Sequence, residues 1–150
     1  MSSKISLSDL LPFISEAFKS NKSFKLNITG TSMKPLLVQG RDYVEIVKPE
    51  LPLNIGDIPL YRRRDGAFVL HRIVDVNENG YVMCGDNQYV LEPNIKDSQI
   101  IGVVKTICRD GRRFDVQSDE WYKKYTKKCL KNVEKRYPWK RFKAMIKAKL

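Results

Sequence analysis

Leu7, Leu10, Leu11, Ile14 and Phe18 recur at helical spacing, and Ser6 or Ser8 can cap the segment. Residues 6–18 therefore read as a short amphipathic helix. Pro12 lies within it, a residue tolerated in a first turn and kinking in a helix interior. Asn21 and Ser23 mark a loop, and the period then changes from helical to extended. Phe24–Thr29 alternates as FKLNIT, Tyr43–Val47 reads YVEIV, and Ile58–Tyr61 resumes after Pro49 and Pro52. Ala67–Val76 is the longest expected strand; Tyr81–Cys84, Ile100–Cys108 and Arg113–Val116 complete the set. Asp65-Gly66, Asn79-Gly80 and Asp110-Gly111 carry hairpin-turn chemistry between these runs. Short strands joined by tight turns predict a mostly β (α+β) fold. From Asp119 the helical period returns. Trp121, Tyr122, Tyr125, Cys129, Leu130 and Val133 form an apolar stripe among lysines; Pro138 ends or bends it, and Trp139–Leu150 can start a second segment. The expected organisation is a body over residues 1–118 with an N-terminal helix, followed by a basic helical extension over 119–150.

Length and composition narrow this picture. A chain of 150 residues suits one domain, and 42% hydrophobic with 30% charged residues describes a globular protein, not a disordered polyelectrolyte. No apolar run approaches the ~20 residues of a membrane-spanning helix. Asp9, Pro12 and Glu16 interrupt the start, which also lacks a small-residue cleavage site, so no secretory signal peptide is read there. The three cysteines, Cys84, Cys108 and Cys129, are widely spaced and form no C-x-x-C pair. They are expected as reduced thiols in a cytoplasmic protein. One histidine in the whole chain excludes a multi-histidine metal site, and no phosphate-binding glycine loop occurs. No metal or organic cofactor is expected.

Charge separates two regions. Residues 119–150 hold 12 basic and 3 acidic side chains, a balance of +9; the first 118 hold 16 and 14. The extension is thus a cationic appendage on a nearly neutral body. Lysines interleaved with Trp121, Tyr122, Tyr125 and Trp139 suit an anionic membrane surface, here the inner membrane face, or a protein partner. Nucleic acid ranks after these, because no helix-turn-helix or RNA-binding signature accompanies the charge.

The candidate chemistry centres on the one histidine, in Val69-Leu70-His71-Arg72-Ile73. If the following hairpin closes with an even-length loop at 77–80, period-two alternation puts His71 and Asp86 on one sheet face. An odd loop or a bulge breaks that parity. A carboxylate beside an imidazole orients it and stabilises its charged form, as a catalytic base requires. The nucleophile candidate is Ser32, in Gly30-Thr31-Ser32-Met33-Lys34-Pro35. Gly30 permits unusual backbone angles and Pro35 stiffens the exit, so this loop can present a hydroxyl and amide groups together. Gly30, Thr31, Met33 and Pro35 are the candidates for a substrate groove or oxyanion site, with core packing the alternative for Met33 and Leu36. Asp42 and Asp57 read as turn formers after glycine, and Arg62-Arg63-Arg64 as a solvated hairpin end.

Five blocks in order are Gly30-x-Ser32-Met33-x-Pro35-Leu36, Gly40-x-Asp42, Gly56-Asp57-Ile58, Val69-Leu70-His71-Arg72-Ile73 and Gly85-Asp86-Asn87. This series resembles the S24/S26 peptidase superfamily over residues 24–105. Histidine in the fourth block is similar to the S26B type of signal peptidase, and Glu92-Pro93 with Ile101-Gly102-Val103-Val104 is similar to small bacterial S24/S26 proteins. The resemblance implies the coiled β-fold of these peptidases. It also implies a serine endopeptidase of signal-peptidase-like type, cleaving a protein or peptide with Ser32 as nucleophile, His71 as general base and Asp86 assisting. The chain departs from the pattern in two places: a short amphipathic helix stands where anchored members carry a membrane segment, and Gly30 stands where a hydroxyl residue often supports the oxyanion hole. The alternatives are a catalytically inactive module of the same fold that binds a peptide or partner, and a nucleic-acid-binding regulator.

Overall fold

The computed structural model describes residues 6–137. The elements run α1 (Leu7–Lys19), β1 (Phe24–Asn27), β2 (Tyr43–Val47), β3 (Pro59–Arg62), β4 (Phe68–Leu70), β5 (Arg72–Asn77), β6 (Gly80–Cys84), β7 (Glu92–Ile95), a 3₁₀ turn (Asp97–Gln99), β8 (Ile100–Arg109), β9 (Arg112–Asp115) and α2 (Glu120–Arg136). The fold is mostly β with a helix at either end, as the hydrophobic pattern predicts.

Two antiparallel sheets carry it. The larger has the order β1-β2-β8-β3-β4, with β9 also on β8, and curls into a half-barrel; the smaller has the order β5-β6-β7. β8 is the spine of the larger sheet. β2 follows one edge of it, and β3 and β9 share the other. Arg109 pairs with Arg112 across Asp110-Gly111, both at positive φ, the two-residue hairpin that an Asp-Gly pair favours.

The main core packs against the larger sheet. Ile14 of α1 meets Leu26, Val44, Ile46, Leu60, Val104 and Ile107 there. Ser6 caps α1, its Oγ accepting from the Asp9 amide at 3.4 Å. Pro12 lies inside the helix with its ring exposed, so the amide it lacks leaves only the Ser8 carbonyl unserved. Gly102 in β8 lets Phe18 lie close on the sheet: a Cβ there would meet Phe18 Cζ and Ile46 Cδ1, each at 3.1 Å. Met33, Leu36 and Leu37 drop into the same core and so anchor the serine loop.

The structure departs from the expected elements in three places. Ala67–Val76 is not one strand. Phe68–Leu70 pairs with β3 in the larger sheet, Arg72–Asn77 pairs with β6 in the smaller, and His71 is the joint between them. Glu92–Ile95 adds an edge strand to the smaller sheet. Its Pro93 donates no amide hydrogen bond, which an edge position tolerates and a weak β pattern conceals. The extension is also no loose appendage over its described part. Asp119 caps α2 by accepting from the Tyr122 amide at 2.9 Å. Tyr122 then joins the main core, and Val133 packs with Val74, Val82 and Cys84 of the smaller sheet. The second helical segment expected over Trp139–Leu150 lies outside the described residues. Among the described residues no helix is long and apolar enough to cross a membrane.

Candidate active site

Three segments meet at the site: the serine loop, the His71 joint and the turn after β6. The serine loop is a short helical turn, with the Lys34 amide on the Thr31 carbonyl at 3.2 Å and the Leu37 amide on the Met33 carbonyl at 2.9 Å. Ser32 stays half-buried while Met33 and Leu36 are buried. The turn Gly85-Asp86-Asn87 clasps this loop. The Asn87 amide donates to the Ser32 carbonyl at 2.8 Å, and Asn87 Nδ2 donates to the Thr31 carbonyl at 3.1 Å.

Gly85 is where serine loop and histidine converge. A Cβ on Gly85 would sit 2.7 Å from the Ser32 carbonyl oxygen and 3.2 Å from His71 Cδ2. Any larger residue would push the two apart, so glycine is required here for close approach. Cδ2, the ring carbon bonded to Nε2, is the imidazole atom that approaches this point. Among the described residues no hydrogen bond joins Ser32 to His71.

The opposite ring edge faces Tyr61. Nδ1 lies 3.5 Å from the Tyr61 hydroxyl, and the two rings meet edge-on, with centroids 6.4 Å apart and 65° between planes. The Tyr61 hydroxyl donates to Glu92 Oε1 at 2.6 Å. Arg63 holds the same carboxylate in a fork, Nε to Oε2 at 2.8 Å and Nη2 to Oε1 at 3.1 Å. His71 is 5% exposed. Burial, and then the Arg63 charge, push its pKa down to about 4, against smaller opposing effects of Glu92 and Asp86. Burial raises the Glu92 pKa, but the hydrogen bonds from Arg63 and Tyr61 outweigh it and hold the carboxyl below its ordinary range. Burial and then Glu92 raise the Tyr61 pKa, so the phenol keeps its proton.

Asp86 does not reach the imidazole as the parity reading expected. It forms a bidentate ion pair with Arg72, Nε to Oδ1 at 2.8 Å and Nη2 to Oδ2 at 2.9 Å, and accepts from the Tyr125 hydroxyl at 2.8 Å. The reason is a bulge. Asn77 pairs with Gly80 around a loop of Glu78 and Asn79, a register that, unbroken, would set His71 opposite Asp86. Val74 is an extra residue between Ile73 and Asp75, and beyond it Arg72 pairs with Cys84. Continuing that register sets His71 opposite Gly85 and turns Arg72 and Asp86 to one face. A one-residue slip exchanges the faces of every side chain that follows.

Arg72 is fully buried and works as a hub. Beyond Asp86 it donates to the Gly56 carbonyl at 2.9 Å and to the Tyr122 hydroxyl and Thr126 Oγ1, each at 3.1 Å. Its guanidinium also lies over the Tyr122 and Tyr125 rings, 5.6 and 5.7 Å from their centroids. Burial opposes the charge, but the Asp86 hydrogen bonds outweigh it and raise the Arg72 pKa. Three residues of α2 therefore fasten the helix to the turn that clasps the serine loop.

The groove and oxyanion candidates divide. The Gly30 amide is committed to Gln39 Oε1 at 2.7 Å, the Thr31 carbonyl to Lys34 and Asn87, and Pro35 has no amide proton. Met33 is core, its Sδ accepting from the Asp86 amide at 3.5 Å. The amides of Thr31, Ser32 and Met33 have no acceptor among the described residues. Asp42 is the turn former expected, its carboxylate accepting from the Val38 and Asp110 amides at 2.7 and 2.8 Å.

Sequence reasoning missed Tyr61, Arg63 and Glu92. Arg63 looked like part of a solvated run, and Tyr61 like strand core. Glu92 enters the sequence reading only in Glu92-Pro93, within the family resemblance and without a role. A cleft of about 790 Å³ lies elsewhere, between residues 48–58, β8 and α2, and none of Ser32, His71 and Asp86 lines it. Comparison with family models, with curated proteins and with solved structures gives no match for the chain.

Proposed function

We propose that the protein is a serine endopeptidase of signal-peptidase-like type, acting on a protein or peptide segment with Ser32 as nucleophile and His71 as general base. The observation that carries the reading is the convergence on Gly85, where the Ser32 carbonyl oxygen and His71 Cδ2 stand 2.7 and 3.2 Å from the position a Cβ would take. The imidazole is neutral at physiological pH, the form that can accept a proton. In the reaction Ser32 Oγ attacks the scissile carbonyl carbon while Nε2 takes the hydroxyl proton. The Ser32 and Met33 amides donate to the oxygen that becomes negative. Nε2 then returns its proton to the departing amine. Water, deprotonated by the same nitrogen, releases the acyl group and restores the hydroxyl. Asp86 serves here by holding the clasping turn through Arg72, not by touching the ring. Lys124, Lys127, Lys128, Lys131 and Lys135 line the exposed face of α2, and this face is the proposed contact with an anionic membrane surface.

The test is labelling with a fluorophosphonate probe together with cleavage of an unstructured protein substrate. Wild type should label and cleave. Ser32→Ala should lose labelling completely, and His71→Ala should slow both by roughly 10³–10⁶-fold while the protein still unfolds cooperatively. Labelling of Ser32→Ala at the wild-type rate would overturn the assignment. A folded wild type that neither labels nor cleaves would leave the fold as a binding module.

A further inference from the structure

His71 has two nitrogens, and the proposed reaction works with only one arrangement of its single proton. If Nε2 faces the serine and must accept, the proton has to sit on Nδ1. Something on the Nδ1 side must make that arrangement the stable one. Asp86, the residue expected to do so, is turned away and saturated by Arg72 and Tyr125. The group that does face Nδ1 is the Tyr61 hydroxyl, at 3.5 Å.

A phenol has one proton and can donate once. That proton is already given to Glu92, at 2.6 Å. Glu92 is ionised and carries no proton of its own, because Arg63 grips both of its oxygens. What Tyr61 has left to offer the histidine is a lone pair, so the histidine must be the donor. We propose that Tyr61 and Glu92 are the positioning residues for His71: Glu92, oriented by Arg63, takes the Tyr61 proton, and the phenol oxygen thereby selects the imidazole with hydrogen on Nδ1 and a free pair on Nε2. The proposal rests on the peptidase reading for its purpose but not for its geometry. Glu92, one group behind the phenol, favours the imidazolium formed during attack, against the larger opposing effects of burial and the Arg63 charge. Tyr61 lies ten positions before His71 across the β3–β4 hairpin, and Glu92 joins them from β7 of the smaller sheet, 31 positions beyond Tyr61, so the relay is completed where the two sheets meet.

The chain contains a single histidine, so its imidazole nitrogens can be read without assignment ambiguity by long-range ¹H–¹⁵N correlation. In wild-type protein near neutral pH the spectrum should show one tautomer, protonated at Nδ1. Tyr61→Phe removes the acceptor and should give a mixture of the two tautomers. Glu92→Ala keeps the phenol, removes the acceptor of its proton and leaves that proton to donate toward Nδ1, so the Nε2-protonated form should gain population. A dominant Nε2-protonated form in wild type overturns the proposal. So does a spectrum unchanged in both variants. If Tyr61→Phe proves unfolded by circular dichroism, Glu92→Ala alone decides it. With the fluorophosphonate probe, both variants should lower the maximal acylation rate by about 10–100-fold and leave half-saturation within about twofold, a part of the 10²–10⁴ that a positioned base contributes. Because the tautomer is measured without substrate, a protein that never acylates but shows the expected spectra would sink the peptidase reading and leave the positioning geometry standing.

Discussion

Two arginine–carboxylate pairs flank His71, and their chemistry is the same. Each is a forked guanidinium on two carboxylate oxygens at hydrogen-bonding distance. Their surroundings differ. Arg72 and Asp86 have side chains 0% and 2% exposed and are closed over by Tyr122, Tyr125 and Thr126 of α2. Arg63 and Glu92 are 38% and 26% exposed, on a hairpin end and an edge strand. A pair removed from water is costly to create and more costly to break, because one partner alone leaves a buried uncompensated charge. A pair within reach of water can lose a partner and be solvated. The buried pair is therefore suited to holding an architecture, here α2 against the turn that clasps Ser32. The half-exposed pair is suited to holding a functional group.

The largest expected effect tests that division. Asp86→Ala should lower stability by about 3–5 kcal/mol, since it strands the Arg72 charge in the core. Glu92→Ala should cost no more than about 1 kcal/mol, since water replaces it around Arg63. Denaturant unfolding of the two variants makes the comparison, and equal losses would abolish the distinction between clamp and orienter.

The next effect is about 3 kcal/mol and depends on pH. The His71 pKa in the folded chain is about 4, below the 6.5 of a free imidazole, so between these values the unfolded chain binds more protons than the native one. This contribution to stability is complete above about pH 6.5 and is lost as pH falls toward 4. His71→Gln carries no such term, so its stability should fall less steeply than wild type over that interval. Parallel curves would mean that the ring beside Tyr61 is not held neutral.

The smallest effect separates the two faces of α2. Its inner face belongs to the Arg72–Asp86 clamp, so deleting the helix would damage the fold and prove nothing about its charge. Lys124→Gln, Lys127→Gln and Lys131→Gln, combined, change only the exposed face. Binding to vesicles containing anionic lipid should weaken by up to about 1 kcal/mol per charge, with the difference shrinking as salt is added. Unchanged binding to vesicles, or tighter binding to RNA at equal salt, would remove the membrane from the proposal.

Local chemistry alone determined much of this protein. The strand runs, the Asp110-Gly111 hairpin, a helix start at Ser6 or Ser8 and the mostly β class all follow from periodicity and turn residues, which act over a few positions. The serine loop and the lone histidine were also visible as candidates, because a reactive residue type between a glycine and a proline, or a single imidazole, needs no context to be noticed. Three features were decided only by the tertiary structure. The bulge at Val74 reassigns Asp86 from His71 to Arg72; alternation propagates a face only while no residue is inserted, and whether one is inserted depends on what both sheets can pack. The switch of sheets at His71 ends an apparently continuous strand, since β3 offers pairing to Phe68–Leu70 and β6 to Arg72–Asn77. The Tyr61–Glu92 contact spans 31 positions, and α2 reaches Arg72 from 50 and 54 positions away. No periodic pattern encodes such distances; they are set when the buried guanidinium and the apolar faces find the arrangement that leaves neither charge nor hydrocarbon unpaired.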